Sequence, residues 1–326
     1  MRPARDQRPC LNARHGAIVQ GTVFRGPLPT ELQGAPLTHN TTAPRHIVVG
    51  VDSSDNASRA AAWAAHEAAD RSLPLHVVHA IDVSGAMGRQ FEPPHYPAMP
   101  SKVGEQLLER IADTLRESFP NLPVTTELSE LSAAEALVEL SRQAELVVTG
   151  TRGHGGFAGM LLGSVSHALA AHAHCPAVIV RSEEPGSPLE EIVLGVEPGQ
   201  AEPPIRFAFD TAAAVGASVT IVRAWWMRSA YEGHYTVPEF NAAKATEEAD
   251  LAGLVKAVRE QYPHVEARID AIRGNAVPVL INAAQGTRLL VIGAHRHRGP
   301  LSVGTGYVVQ GLLAHAHTPV AVVPIT

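Results

Sequence analysis

Lysine is nearly missing from this sequence: Lys102, Lys244 and Lys256 are the only three, and arginine supplies the rest of the 26 basic side chains. Against them stand 32 acidic residues and a net charge of −6. That balance excludes a general nucleic-acid binder, whose affinity rests on neutralising phosphates with a basic face. No lysine sits in a G-x-x-x-x-G-K-[ST] pattern, so a P-loop NTPase is excluded as well. Cysteine is equally scarce. Cys10 and Cys175 make no disulfide framework and no metal-type pair, and a reducing cytoplasm is the expected compartment. No apolar run approaches the roughly 18 residues that would cross a bilayer, the longest alanine-rich stretch being Ala60 to Ala65. The first 44 residues also lack the continuous apolar segment of a signal peptide, so neither a membrane nor secretion is expected.

What the chain does have is length and ordinary globular composition, 326 residues with 45% hydrophobic and 18% charged. Domains typically run to about 100–200 residues, which leaves room for about two. Residues 1–44, broken by Pro3, Pro9, Gly16, Gly21, Gly26, Pro27, Pro29, Gly34, Pro36 and Pro44, read as an irregular or disordered extension with one weakly signalled strand at Ala17-Ile18-Val19.

From His46 the chain alternates. His46 to Asp52, Leu75 to Ala80, Val124 to Leu128, Glu145 to Thr149 and Ala177 to Val180 read as short buried strands rich in β-branched residues. Between them run helices, capped by Ser54 or Asp55 and ending near Arg71, then from about Ser101 to Ser118, Ser132 to Gln143, and Ser164 to Ala173. Such βαβ alternation demands a parallel sheet. The pattern then starts again: Glu191 to Glu197 repeats the opening strand 145 positions later, and Gly293 to Val323 aligns without a gap on Gly150 to Val180 at an offset of 143. A period this long marks a duplicated domain rather than a solenoid. The expected domains are 45–182 and 190–326, joined by a polar Pro/Gly-marked linker from Arg181 to Pro188.

The chemistry concentrates in Gly150-Thr151-Arg152-Gly153-His154-Gly155-Gly156-Phe157-Ala158-Gly159-Met160-Leu161-Leu162-Gly163-Ser164-Val165, set between a strand and a helix. A helix start presents unpaired N–H groups and a positive dipole end, and Ser164 is placed to cap it. Glycines allow close backbone approach and left-handed conformations, so the loop reads as an anion cradle.

The spacing Gly150-x2-Gly153-x9-Gly163-Ser164 resembles the signature of the universal stress protein family. Val49-Gly50-Val51-Asp52, His79-Ala80-Ile81-Asp82 and Cys175-Pro176 extend the resemblance. It implies two tandem five-stranded parallel-sheet αβα sandwich domains, Rossmann-like and similar to the adenine nucleotide alpha hydrolases. It also implies ATP, with or without Mg2+, at the carboxyl ends of the strands: the adenine beside Val51, Asp52 and Ala80, the ribose and phosphates on Gly150, Gly153, Gly163, Ser164 and Val165, with Gly50 also among the nucleotide-binding residues. Two structural alternatives stay open, that Asp52 only caps the turn ahead of the first helix and that the loop only packs. In the second copy Glu197 stands for Asp52, Arg296 for Gly153 and Tyr307 for Ser164, so that loop is degenerate and not expected to hold ATP, unless Gly304-Thr305-Gly306 with Arg296 or Arg298 rebuilds it.

Rival motifs are weaker. Gly153-His154-Gly155-Gly156-Phe157-Ala158 fits G-x-G-x-x-A but follows the fourth strand and lacks the acidic partner. His172/His174, His295/His297 and His315/His317 fall mostly at helix ends, where they satisfy terminal carbonyls, and no metal is expected. Ser164, Ser166 and His167 share one helix and form no triad. The expected protein is therefore an ATP-binding stress-response regulator without catalytic residues, a conformational or partner switch that pairs its two copies through their last strands and forms a homodimer. Slow ATP hydrolysis is left undecided, and the alternative is a nucleotide-independent dimerisation or interaction module.

Overall fold

The computed structural model describes residues 45–81, 98–151, 153, 162–181, 189–226, 236–295 and 306–325. The readings of residues 1–44, of the Pro-rich Glu92–Pro97 connection, of Arg152 and the loop centre, of the linker, and of Arg296, Arg298, Gly304 and Thr305 lie outside the described residues.

The first copy runs β1 (Ile47–Gly50), α1 (Asp55–Asp70), β2 (Leu75–Ala80), α2 (Ala98–Ser118), β3 (Val124–Ser129), α3 (Ala133–Leu140), β4 (Leu146–Gly150), α4 (Ser164–His172) and β5 (Ala177–Val180). The second repeats it as β6 (Leu189–Gly195), α5 (Glu202–Val215), β7 (Ser218–Trp225), α6 (Val237–Arg259), β8 (Ala267–Arg273), α7 (Ala276–Ala283), β9 (Thr287–His295), α8 (Gly306–His315) and β10 (Val320–Ile325).

Side chains explain the helix starts. Ser54 Oγ accepts the Ala57 N–H at 3.2 Å. Ser132 with Glu135, and Thr236 with Glu239, form reciprocal capping boxes on α3 and α6. The helix read as far as Gln143 stops earlier, because Ser141 Oγ turns back on the Val138 carbonyl at 2.6 Å and tightens the last turn.

All strands join one ten-stranded sheet in the order β3-β2-β1-β4-β5-β10-β9-β6-β7-β8. Pairing is parallel within each copy. The copies meet where the last strands run antiparallel, Val320 opposite Ile179 and Val322 opposite Ala177. Strand residues alternate between two cores. Ile47, Val49, Leu75 and Val77 pack under the alanines of α1 and under α2, in a core that continues beneath α5 and α6 of the second copy. Val48, Val78 and Val147 pack on the other face with Leu137, Leu169, Leu280 and Leu312 from α3, α4, α7 and α8. A fully buried residue of this kind stabilises by about 1.5–3 kcal/mol, and most of these strand positions are completely buried.

Polar contacts reinforce the seam between copies. Glu67, fully buried on α1, receives Arg71 Nε at 2.6 Å and Arg288 Nη2 of β9 at 3.1 Å. Arg288 Nη2 also reaches Asp70 Oδ2 at 2.7 Å, and Arg71 Nη2 donates to Thr211 Oγ1 of α5 at 2.7 Å. Burial alone would lower the Arg288 pKa, but Glu67 and Asp70 hold it above its ordinary value. Arg181 Nη1, just past β5, donates to the Ala314 carbonyl and to that of Ala316 at 3.2 Å, where α8 ends.

Candidate functional site

Parallel strands point their carboxyl ends at one edge of each half-sheet, the place where open α/β sheets hold ligands. In the first copy that edge carries Gly50, Val51 and Asp52 after β1, Ala80 at the end of β2, Gly150 and Thr151 at the end of β4, and the start of α4. The sequence-predicted residues therefore come together from four elements.

Their local contacts show what each already does. The buried Val51 spends its N–H on the Val78 carbonyl at 2.8 Å, and its carbonyl is 2.8 Å from His79 Nδ1. A carbonyl only accepts, so that His79 nitrogen carries the proton. Val51 thus offers a wall rather than a polar group. Asp52 Oδ1 accepts the Ser54 N–H at 2.9 Å and the Ser54 hydroxyl at 2.5 Å, so the turn-capping role is real. The other oxygen, Oδ2, lies against Gly153, and a Cβ there would sit inside any allowed contact with it. Position 153 has no positive φ, so its glycine answers to space and not to a left-handed backbone.

The ends of the glycine loop are tied. Gly163 N–H donates to the Thr151 carbonyl at 2.8 Å, and Thr151 N–H to the Val180 carbonyl at 3.1 Å. Ser166, buried, donates its hydroxyl to the Gly150 carbonyl at 2.8 Å. Sequence reasoning weighed Ser166 only as a nucleophile and missed this role. Its signal was its place one turn into a helix that must close back on β4.

Helix α4 departs from the expectation in one respect. Ser164 is its first helical residue and not its cap. Gly163 takes the cap position in an extended conformation, φ −77°, ψ 160°, and makes no side-chain cap hydrogen bond. The cap residue therefore gives the first N–H groups of α4 no side-chain acceptor, as at α5 and α7 and in contrast to α1, α3 and α6. Ser164 is exposed and Gly163 and Val165 are half-buried beside the loop base.

The second copy differs at the same edge. Glu197 Oε1 pairs with His295 Nε2 at 3.0 Å, both more than half exposed. Gln200 Oε1 accepts the Glu197 N–H at 3.0 Å. Helix α8 starts at Gly306 with φ +60°, followed by Tyr307, 81% exposed. Elsewhere the copies keep their packing: Val196 N–H bonds the Val222 carbonyl at 2.9 Å as Val51 bonds Val78. His172 and His315 close α4 and α8. Among the described residues no helix is long and apolar enough to cross a membrane.

Comparison with known proteins agrees with this geometry. The universal stress protein family profile matches residues 44–181 and again 189–324. The universal stress protein Rv2005c of Mycobacterium tuberculosis is 30% identical over 289 residues, covering 85% of this chain and 96% of the relative. A universal stress protein of Mycolicibacterium smegmatis is 30% identical over 293 residues, with the same coverage. Among solved structures, a universal stress protein from Archaeoglobus fulgidus shares the fold at a TM-score of 0.65 with 13% identity, spanning 86% of this chain and 98% of its own. The chain belongs to the universal stress protein family, as two tandem copies of its domain.

Proposed function

We propose that the first copy binds one adenine nucleotide, ATP, and that the protein is a stress-response regulator whose conformation or partners follow nucleotide occupancy. The observation that carries this reading is the start of α4: N–H groups without a side-chain cap, at the positive end of a helix dipole, behind a glycine loop tied at its base. Those donors suit phosphates. Asp52 Oδ2 beside Gly153 suits the ribose or base end, with Gly50 and Ala80 on the same edge and Gly150 supporting the phosphate end. A Mg2+ ion would be carried by the phosphates. In this reading the protein works in the cytoplasm, as a homodimer, and no catalytic residue is assigned.

The second copy is read as closed to ATP. Glu197 is engaged by His295, and Tyr307 replaces the serine at the helix start. Losing two charge-assisted contacts of about 1.5–3 kcal/mol each weakens binding by about 10²- to 10⁴-fold. Isothermal titration with ATP tests the whole reading. It expects one site per chain, and Gly153→Arg, which imitates Arg296, abolishes it. A stoichiometry of two would refute the one-site assignment, and no binding by the intact protein would favour the nucleotide-independent interaction module.

A further inference from the structure

The two copies differ most instructively between their second strand and the long helix that covers it. In the first copy α2 presses Gly104 onto β2 and β3. A Cβ at Gly104 would lie 2.7 Å from Leu128 Cδ1 and 3.0 Å from His79 Cδ2. In the second copy the strand partners corresponding to His79 and Leu128 are Arg223 and Ala271, and α6 faces Arg223 with Glu247. A small, tight contact has been exchanged for a guanidinium, a carboxylate and a shortened neighbour.

Arg223 is 4% exposed. Its Nη1 meets Glu247 Oε2 at 3.2 Å, while its Nε is buried with no hydrogen-bond partner among the described residues. Trp225, 7% exposed, lies two residues on and so on the same face of β7. Its indole Nε1 is likewise buried without a partner among the described residues. Buried donors are normally satisfied, so two orphans on one face ask for one acceptor. Phe240 of α6 packs on the Trp225 ring at 5.6 Å and supplies an apolar wall. Neither a guanidinium nor an indole N–H can accept, which excludes a donor-only ligand. The Cα atoms of same-face positions on a strand are about 7 Å apart, so the two side chains are neighbours, and a planar carboxylate offers two acceptor oxygens and matches an arginine's in-plane donors.

We propose that the second copy carries its own ligand site between β7 and α6, which takes the carboxylate of a small organic acid on Arg223 Nε and Trp225 Nε1. The site is separate from the nucleotide edge of the first copy and does not depend on ATP binding there.

The test uses the full-length protein, uniformly labelled with nitrogen-15, and the indole N–H region of its proton–nitrogen correlation spectrum. Three tryptophans contribute, Trp63, Trp225 and Trp226, and Trp225→Phe assigns the relevant signal. Sodium acetate and sodium benzoate are titrated against sodium chloride at matched ionic strength. The expected result is a saturable downfield shift of the Trp225 signal with a carboxylate and not with chloride. Arg223→Met weakens that binding at least tenfold, and Glu247→Gln, which removes the competing carboxylate, leaves it intact or tightens it. If Arg223→Met fails to fold, the Glu247→Gln titration alone decides. A Trp225 signal unmoved by either acid, one that moves equally with chloride, or one showing cross-relaxation only to a bound water overturns the proposal.

Discussion

Changing Glu67 to Gln keeps its volume and removes its charge at the centre of the seam. The carboxylate is fully buried and faces Arg71 at 2.6 Å and Arg288 at 3.1 Å, whose side chains are only 9% and 16% exposed. Arg71 then loses its carboxylate in a buried place, and Arg288 is left with Asp70 alone. Breaking a buried pair from one side costs about 3–5 kcal/mol. At about 2.1 cal/mol/K of unfolding entropy per residue, a chain of 326 residues melts about 1.5 °C lower per kcal/mol, so Glu67→Gln should melt about 4–7 °C lower. Reversible urea unfolding gives the free energy and calorimetry the melting shift. The exposed Glu139–Arg142 pair, 2.8 Å apart with side chains 66% and 51% exposed, serves as the control. Glu139→Gln should cost less than about 1 kcal/mol. Replacing Glu67, Arg71 and Arg288 at once, by Glu67→Leu, Arg71→Leu and Arg288→Met, should cost less than Glu67→Gln, because the buried charges go together and Asp70, 39% exposed, is left to water. If Glu67→Gln loses no more than the surface control, the seam is held by β5, β10 and apolar packing alone and the reasoning is wrong.

Ser166→Ala leaves the Gly150 carbonyl without its 2.8 Å donor in a buried place. It should cost about 1–3 kcal/mol and weaken nucleotide binding, which chemical denaturation and titration measure together. Gly50→Ala and Gly153→Ala should separate stability from binding. A methyl at Gly50 runs into Leu137 of the core and should destabilise by about 1–3 kcal/mol, whereas one at Gly153 meets, among the described residues, the Asp52 carboxylate. The second variant should melt within about 2 °C of the parent and lose ATP affinity, and equal destabilisation by both would contradict the assignment. Tyr262 titrates above the usual 10.0, chiefly because its hydroxyl donates to Asp210, with burial and the Asp210 charge adding to it. Its folded pKa is raised, so this contribution is fully present below about pH 10 and is lost as pH rises through the folded value. Ultraviolet difference titration should show one late phenolate that Tyr262→Phe removes.

Much of the fold was legible because parallel strands buried on both faces write continuous apolar runs, and the short runs at Ile47, Leu75, Leu146 and Ala177 admit no helical period. The duplication was legible from offsets alone. The antiparallel meeting of β5 and β10 fits the expected pairing of last strands, but its register follows from side-chain packing that no local pattern encodes. The cap of α4 was misplaced by one residue, since Ser164 has the better side chain. Closure of the loop on Thr151 instead draws Gly163 into the cap position. The Glu67–Arg71–Arg288 cluster was invisible: Glu67 and Arg288 lie 221 residues apart, and Glu67 reads in sequence as one more polar residue of an alanine-rich helix.

Comparing the copies separates glycines kept for packing from a glycine tied to the site. Gly50 and Gly195 hold the same place in the two copies, and a Cβ on either meets the matching leucine, Leu137 or Leu280. Gly150 and Gly293 are likewise both hemmed in, by the backbone of Asn56 in one copy and by Pro204 and Ile325 in the other. The fold demands these four, and both copies keep them. Gly153 is different, because what crowds its missing Cβ is the carboxylate of Asp52, a side chain at the carboxyl edge of the sheet. In the second copy the carboxylate is longer, Glu197, and is drawn to His295, and the glycine has become Arg296. The two positions have changed as a pair while the packing glycines around them have not. A pair in direct contact that changes together answers to a shared constraint, the packing of the carboxylate on the glycine, and under the proposed function that constraint includes a ligand seated between Asp52 and the start of α4.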